Sequence, residues 1–239
     1  MSNDNNKTFN RRNFLKITAG SLTIISSVAT PLIASIARGV EEKGIGKVEG
    51  KIREIKEFKY KNSWCMVILE DRCIDCERCM DACRETWKVP EDEYRTRILE
   101  IENRGHKSFL PVLCFHCDFA PCVVACPTKA SHKRKEDGIV LVDPKKCIGC
   151  KVCMLACPYD ARYYNEEIKA IDKCTFCQPR LAKGLKPACV EACPAHVRVF
   201  GDLNDHDSEV YQLLHDYEKT IRVLKPEVHT KPRVYYRKS

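Results

Sequence analysis

The chain has 239 residues, enough for one large or two small domains. Hydrophobic residues are 44% and aromatics 8%, a modest apolar supply, so cross-links through metal or sulfur are expected to supply part of the core. The net charge is +8, but Lys and Arg are interleaved with Asp and Glu and no DNA- or RNA-binding motif is present, so no nucleic-acid partner is expected.

The first element is a leader. Residues 10–16 read Asn-Arg-Arg-Asn-Phe-Leu-Lys, and a charge-free stretch rich in Ser, Thr, Ala and Gly runs from Ile17 to Ala37. This is an n-region followed by an h-region, and the Arg11-Arg12 pair with Phe14, Leu15 and Lys16 marks the twin-arginine type. Ser35 and Ala37 place small residues for cleavage after residue 37. A permanent anchor is the competing reading, but Ser21, Thr23, Ser26, Ser27, Thr30 and Pro31 weaken a stable span. Residues 1–37 are therefore expected to be a signal peptide and the mature chain to be periplasmic. The twin-arginine route carries folded proteins, which suits a cofactor inserted before export and disfavours simple disulfides. A linker over 38–63 follows.

From there the seventeen cysteines organise the chain. Cys65 stands alone on a β-rich run and is expected to be a buried small hydrophobe. The other sixteen form four groups. Group one is Cys73, Cys76, Cys79 and Cys83; group two is Cys114, Cys117, Cys122 and Cys126. Group three is Cys147, Cys150, Cys153 and Cys157; group four is Cys174, Cys177, Cys189 and Cys193. Groups one and three have the C-x2-C-x2-C-x3-C spacing of bacterial ferredoxins. Groups two and four widen one gap, yet each still ends in x3-Cys. Pro127, Pro158 and Pro194 follow the last cysteine of groups two, three and four; Arg84 stands there in group one.

The spacing has a chemical reason. Three cysteines in a tight loop can wrap three corners of one cubane, while the fourth points away and ligates the neighbouring cluster. The fourth is expected at the start of a helix, where a following Pro costs nothing. Structural zinc sites instead use two separated Cys pairs, and thiols this close in a loop pair poorly with each other. A zinc-bearing binding module is thus the remote alternative to iron–sulfur.

The flanks repeat too. Short β-rich runs at 66–71, 139–144 and 168–173 lead into Cys73, Cys147 and Cys174. Residues 131–135 and 139–142 flank Glu-Asp-Gly as a β-hairpin. A helix is expected over 209–217, then an extended tail that either clasps a partner or straps the chain together. His116 is expected to make a polar loop contact rather than ligate. Arg78, Lys146, Lys151 and Lys173 read as a solvated face or as charges that raise cluster potentials. Tyr159, Tyr163 and Tyr164 read as cluster shields or strand packing. The fold class is α+β, with two bacterial-ferredoxin-like modules. Spacing alone leaves two pairings open: adjacent groups are the simplest, but groups two and three are joined by only the hairpin, which favours pairing two with three and one with four.

From Trp64 onward the chain resembles the four-cluster ferredoxin-like electron-transfer subunits of respiratory oxidoreductases, those of dimethyl-sulfoxide, polysulfide, tetrathionate and formate-dependent nitrite reductases. The resemblance rests on residues 79–85 with Lys88-Val89-Pro90, on Cys-x-His-Cys-Asp-x-Ala-Pro-Cys at 114–122, on residues 187–194, and on Thr230-Lys231-Pro232-x-Val234-Tyr235. It is greatest toward the exported iron–sulfur protein of the nitrite reductase systems. The resemblance implies the nested pairing and four [4Fe–4S] clusters. Cluster one would take Cys73, Cys76, Cys79 and Cys193; cluster two Cys114, Cys117, Cys122 and Cys157. Cluster three would take Cys126, Cys147, Cys150 and Cys153; cluster four Cys83, Cys174, Cys177 and Cys189. One module then spans 64–110 and 166–202, the other 111–165, with 203–239 as helix and tail. The implied partners are a polytopic quinol-oxidising membrane subunit and a periplasmic cytochrome or molybdopterin reductase, with membrane contact only through a partner. The implied role is electron transfer without catalysis, since full cysteine ligation leaves no open iron site.

Overall fold

The computed structural model describes residues 60–103, 105–216 and 221–239. The leader over 1–37 and the linker as far as residue 59 lie outside the described residues. In chain order the elements are β1 (Trp64–Leu69), α1 (Arg78–Trp87), β2 (Thr96–Asn103), β3 (His106–Leu113) and α2 (Pro121–Val124). Then come β4 (Ser131–Lys133), β5 (Val140–Val142), α3 (Val152–Leu155), β6 (Tyr163–Asn165), β7 (Ala170–Asp172), α4 (Gln178–Leu181) and α5 (Ala188–Glu191). The described chain finishes with β8 (Arg198–Asp202), α6 (Glu209–His215), β9 (Ile221–Arg222) and β10 (Val234–Arg237). This is a mixed helix and small-sheet architecture, in keeping with the α+β expectation.

Strand β1 is apolar at every position, a composition that suits a strand covered on both faces, and its last five residues are all buried. It sits in a four-stranded sheet of order β8-β1-β10-β9. β8 runs antiparallel to it, with Met66 opposite Phe200, and β10 runs parallel, with Met66 opposite Val234. Because side chains alternate along a strand, the sheet divides two cores. Met66, Ile68, Val234 and Tyr236 face the core that holds most of the cysteines. Cys65, Val67, Leu69 and Tyr235 face the other, packed with Val210 and Leu214 of α6. Ser208 caps α6 by accepting the Tyr211 N–H at 3.3 Å.

Three antiparallel hairpins complete the fold. β4 and β5 pair as expected, Ser131 opposite Val142, with Gly138 at φ +68° in the turn. β6 and β7 pair Tyr163 with Asp172. The longest, β2 with β3, was not expected from the sequence.

The helices correct one expectation. In groups two, three and four the one-turn helices α2, α3 and α5 carry the third cysteine, and the fourth follows the helix instead of starting one. Proline lacks the N–H that would continue a helix, so each Cys-Pro turns the chain away. Group one, with Arg84 in place of Pro, is the group whose helix runs on, through Cys83 to Trp87.

The tail is built into this frame. Arg233, 1% exposed, donates to Asp118 at 2.7 Å and to the Asp137 carbonyl at 2.6 Å. The Asp118 and Phe119 N–H groups donate to the Lys231 and Thr230 carbonyls. The tail thus ties β1 to the group-two loop and to the β4–β5 turn. Lys133 shares the same carboxylate at 2.8 Å. Asp118→Ala removes the anion that both cations use, and is expected to cost about 3 kcal/mol, read as a lowered thermal midpoint of the metal-loaded protein.

Candidate metal centres

Four cavities are lined by four cysteines apiece. One is lined by Cys73, Cys76, Cys79 and Cys193. A second has Cys114, Cys117, Cys122 and Cys157, and a third Cys126, Cys147, Cys150 and Cys153. The fourth has Cys83, Cys174, Cys177 and Cys189. In every case three cysteines come from one sequence group and one comes from another. None of the seventeen cysteines is joined in a disulfide.

Local backbone winding aims the loop thiols. In group one Asp75 and Glu77 have φ of +55°; the matching residues of group three, Gly149 and Lys151, have +68° and +60°. For a non-glycine residue this conformation costs roughly 1–2 kcal/mol.

The donor chemistry fits an anionic iron–sulfur group. No Asp, Glu or His lines any of the four cavities, and each has one cationic side chain in its wall: Arg198, Arg162, Lys151 and Arg95 respectively. Donors point at sulfur, which is how a protein raises a cluster's potential. The Arg162 Nη2 donates to Cys122 Sγ at 2.8 Å, Trp87 Nε1 to Cys177 Sγ at 3.2 Å, and Arg198 Nη2 to Cys79 Sγ at 3.4 Å. Backbone N–H groups of Ser131 and Val197 reach Cys126 and Cys193, both at 3.3 Å. Among the described residues no three Cys, His, Asp or Glu side chains converge on a point as a single metal ion requires.

Cys65 is apart from all of this. It lies on the face of β1 turned to α6, in the second core, and burial drives its thiol far up. His116 makes the polar loop contact expected of it. Its Nδ1 accepts the Val140 N–H at 3.1 Å, and its ring lies 3.9 Å from that of Phe176, between Cys174 and Cys177. Burial first, then Lys173 and other nearby cations, lowers the pKa of His116, so the ring is neutral. Arg78, Lys146 and Lys151 are exposed, as a solvated face would be. Lys173 is not: it is 1% exposed and donates to the Cys174 carbonyl at 2.7 Å and to the Val140 carbonyl. Tyr159 lines the Cys114 cavity and stacks on Phe115 at 4.0 Å. Tyr163 and Tyr164 instead belong to the β6–β7 hairpin. Neither Arg162 nor Arg198 was expected at a site from the sequence, although each stands five residues after a group's last cysteine, Cys157 and Cys193.

Residues 106–203 match the 4Fe-4S dicluster domain, and residues 70–87 match a 4Fe-4S binding domain. The chain is 44% identical over 189 residues to a tetrathionate reductase subunit of Salmonella typhimurium, covering 77% of this chain and 75% of that one. This protein belongs to the family of 4Fe-4S ferredoxin-like subunits of respiratory oxidoreductases. It is 43% identical to protein NrfC of Escherichia coli, over 80% of this chain and 85% of that protein. It is 41% identical to a polysulfide reductase polypeptide of Wolinella succinogenes, over 71% and 91%. As a 4Fe-4S subunit of this family the chain is an electron-transfer component and not the catalytic one. Among the described residues no helix is long and apolar enough to cross a membrane.

Burial has a pH consequence. It raises the Cys83 and Cys117 thiols from 9.0 to about 12, and Cys189 to about 11. A raised thiol keeps its proton in the folded state after the unfolded chain has lost it, so this stability is whole below pH 9 and fades above it. Metal-free protein is expected to lose thermal stability steadily between pH 9 and about 12. Loaded protein, whose thiolates have already given up their protons, is expected to hold through that window; melting curves of the two forms across pH compare them.

Proposed function

We propose that the chain holds four [4Fe–4S] clusters, one in each cysteine-lined cavity. Cys73, Cys76, Cys79 and Cys193 would hold the first; Cys114, Cys117, Cys122 and Cys157 the second. Cys126, Cys147, Cys150 and Cys153 would hold the third; Cys83, Cys174, Cys177 and Cys189 the fourth. The observation that carries this is the exchange of one cysteine between groups at every cavity. It favours two interleaved ferredoxin modules, groups two and three inside groups one and four.

The clusters would supply one-electron redox chemistry. The chain's own residues bind them through sulfur, place hydrogen bonds and cations against that sulfur, and close apolar walls around it. The electrons would pass from a polytopic quinol-oxidising membrane subunit to a periplasmic terminal reductase or its cytochrome, as in a nitrite-reductase-type system. The identity to NrfC and the family resemblance support that reading. The nearly equal identity to the tetrathionate reductase subunit favours a second one, in which the terminal partner is a molybdopterin oxidoreductase. Location in the periplasm rests on the leader: Arg11 and Arg12 changed together to Lys are expected to leave the protein in the cytoplasm on fractionation.

Anaerobically purified protein should contain about sixteen iron atoms and as many acid-labile sulfides per chain, from four cubanes. Cys65→Ala should keep that load, whereas Cys122→Ser should lower it. Zinc without acid-labile sulfide would sink the proposal.

A further inference from the structure

Two buried arginines repeat one arrangement. Ala156-Cys157-Pro158 is followed by Arg162, and Ala192-Cys193-Pro194 by Arg198, each at the fifth position after the cysteine. Arg198 opens β8 and Arg162 directly precedes β6. Each Nη2 donates to the third cysteine of another group: Cys122 at 2.8 Å for Arg162, Cys79 at 3.4 Å for Arg198. Each also donates to the hydroxyl that opens a hairpin's first strand, Ser131 at 2.9 Å and Thr96 at 2.8 Å. Each guanidinium also interacts electrostatically with a thiol of a second cavity. The charge of Arg162 bears on Cys153 as well as Cys122, and that of Arg198 on Cys189 as well as Cys79.

The other buried arginines have carboxylates: Arg233 pairs with Asp118 and Arg237 with Asp216. Arg95, partly exposed, pairs with Asp172. Arg162 and Arg198 are 4% and 2% exposed and pair with none among the described residues. Their Nη1 groups, and the Arg162 Nε, have no protein partner. A guanidinium cannot shed its proton to escape burial. An uncompensated buried charge is strongly unfavourable, so the compensating anion is the sulfur-bearing content of the two cavities.

We propose that Arg162 and Arg198 are fixed cations, each set between two cavities, that raise the reduction potentials of both clusters beside them. This rests on the four-cluster reading above. The sign follows from charge. An electron entering a cavity adds one negative charge there, and the fixed cation stabilises that state over the oxidised one. Hydrogen bonds and cavity lining place Arg162 at the Cys122 cavity and Arg198 at the Cys79 cavity, and the reach of their charge adds the Cys153 and Cys189 cavities. Both are positioning and tuning residues; neither is a ligand.

The test is a potentiometric titration of the full chain followed by electron paramagnetic resonance, with iron and sulfide measured on each sample. Arg162→Gln should lower the one-electron reduction equilibrium of two clusters at least tenfold, about 59 mV, and leave the other two within threefold. Arg198→Gln should do the same to the other pair. Arg162→Lys and Arg198→Lys keep the charge and should stay within threefold of the parent. Fully loaded Gln variants with unshifted equilibria, or two variants that shift the same pair, would overturn the proposal. If a Gln variant fails to load iron, its Lys counterpart decides. Full loading with parental potentials supports a role for charge, and loss of iron there too makes the guanidinium shape, not its charge, the requirement. A parent protein short of iron would instead count against the four-cluster reading, and the shifts would then be read on the cubanes present.

Discussion

No cysteine group in this chain lines a cavity by itself. Each supplies three thiols to one cavity and its last to another, so Cys83 stands with Cys174, Cys177 and Cys189, and Cys193 with Cys73, Cys76 and Cys79. The rest of the structure follows from that exchange. The one-turn helices place the third cysteine and the Cys-Pro turns send the fourth away. The hairpins fill the walls between. Segments far apart in sequence are thereby held together at each cavity, which compensates for a short supply of apolar side chains.

Charge is distributed to the same end. The cavity linings hold cations and no carboxylates. Carboxylates instead serve the frame, where Asp118 and Asp172 pair with Arg233 and Arg95. In the metal-loaded protein, buried anionic sulfur and fixed guanidinium groups would offset one another's desolvation, since either charge is costly in the interior alone.

Much of this was legible in the residues, for local reasons. The cysteine spacings are set by the reach of a loop around a small group, so they mark the sixteen thiols and set Cys65 aside. The 131–142 hairpin announces itself by Gly138 between two β-rich runs. Which groups share a cavity is a different matter, because spacing allows both adjacent and nested pairings and only the short hairpin joining groups two and three favours nesting. The β2–β3 hairpin stayed hidden since residues 96–103 mix charged and apolar side chains on a largely exposed ribbon. The burial of Lys173 was equally invisible: its neighbours Val140 and Cys174 meet it through backbone carbonyls, which carry no sequence signature. Arg162 and Arg198 could have been found by aligning the internal repeats beyond the Cys-Pro pairs.

The place of β10 bears on how the chain comes to be folded. β1 is made early and lies between β8 and β10, yet its parallel neighbour is made only after every cysteine has been synthesised. Contacts between such remote segments are slow to form, since a long loop must close before they repay its entropy. The central sheet therefore closes late, after all sixteen thiols have left the ribosome. Until then the cavity side of Met66 and Ile68 lacks Val234 and Tyr236. That order makes a finished sheet a physical mark of a chain whose cysteine loops are all in hand.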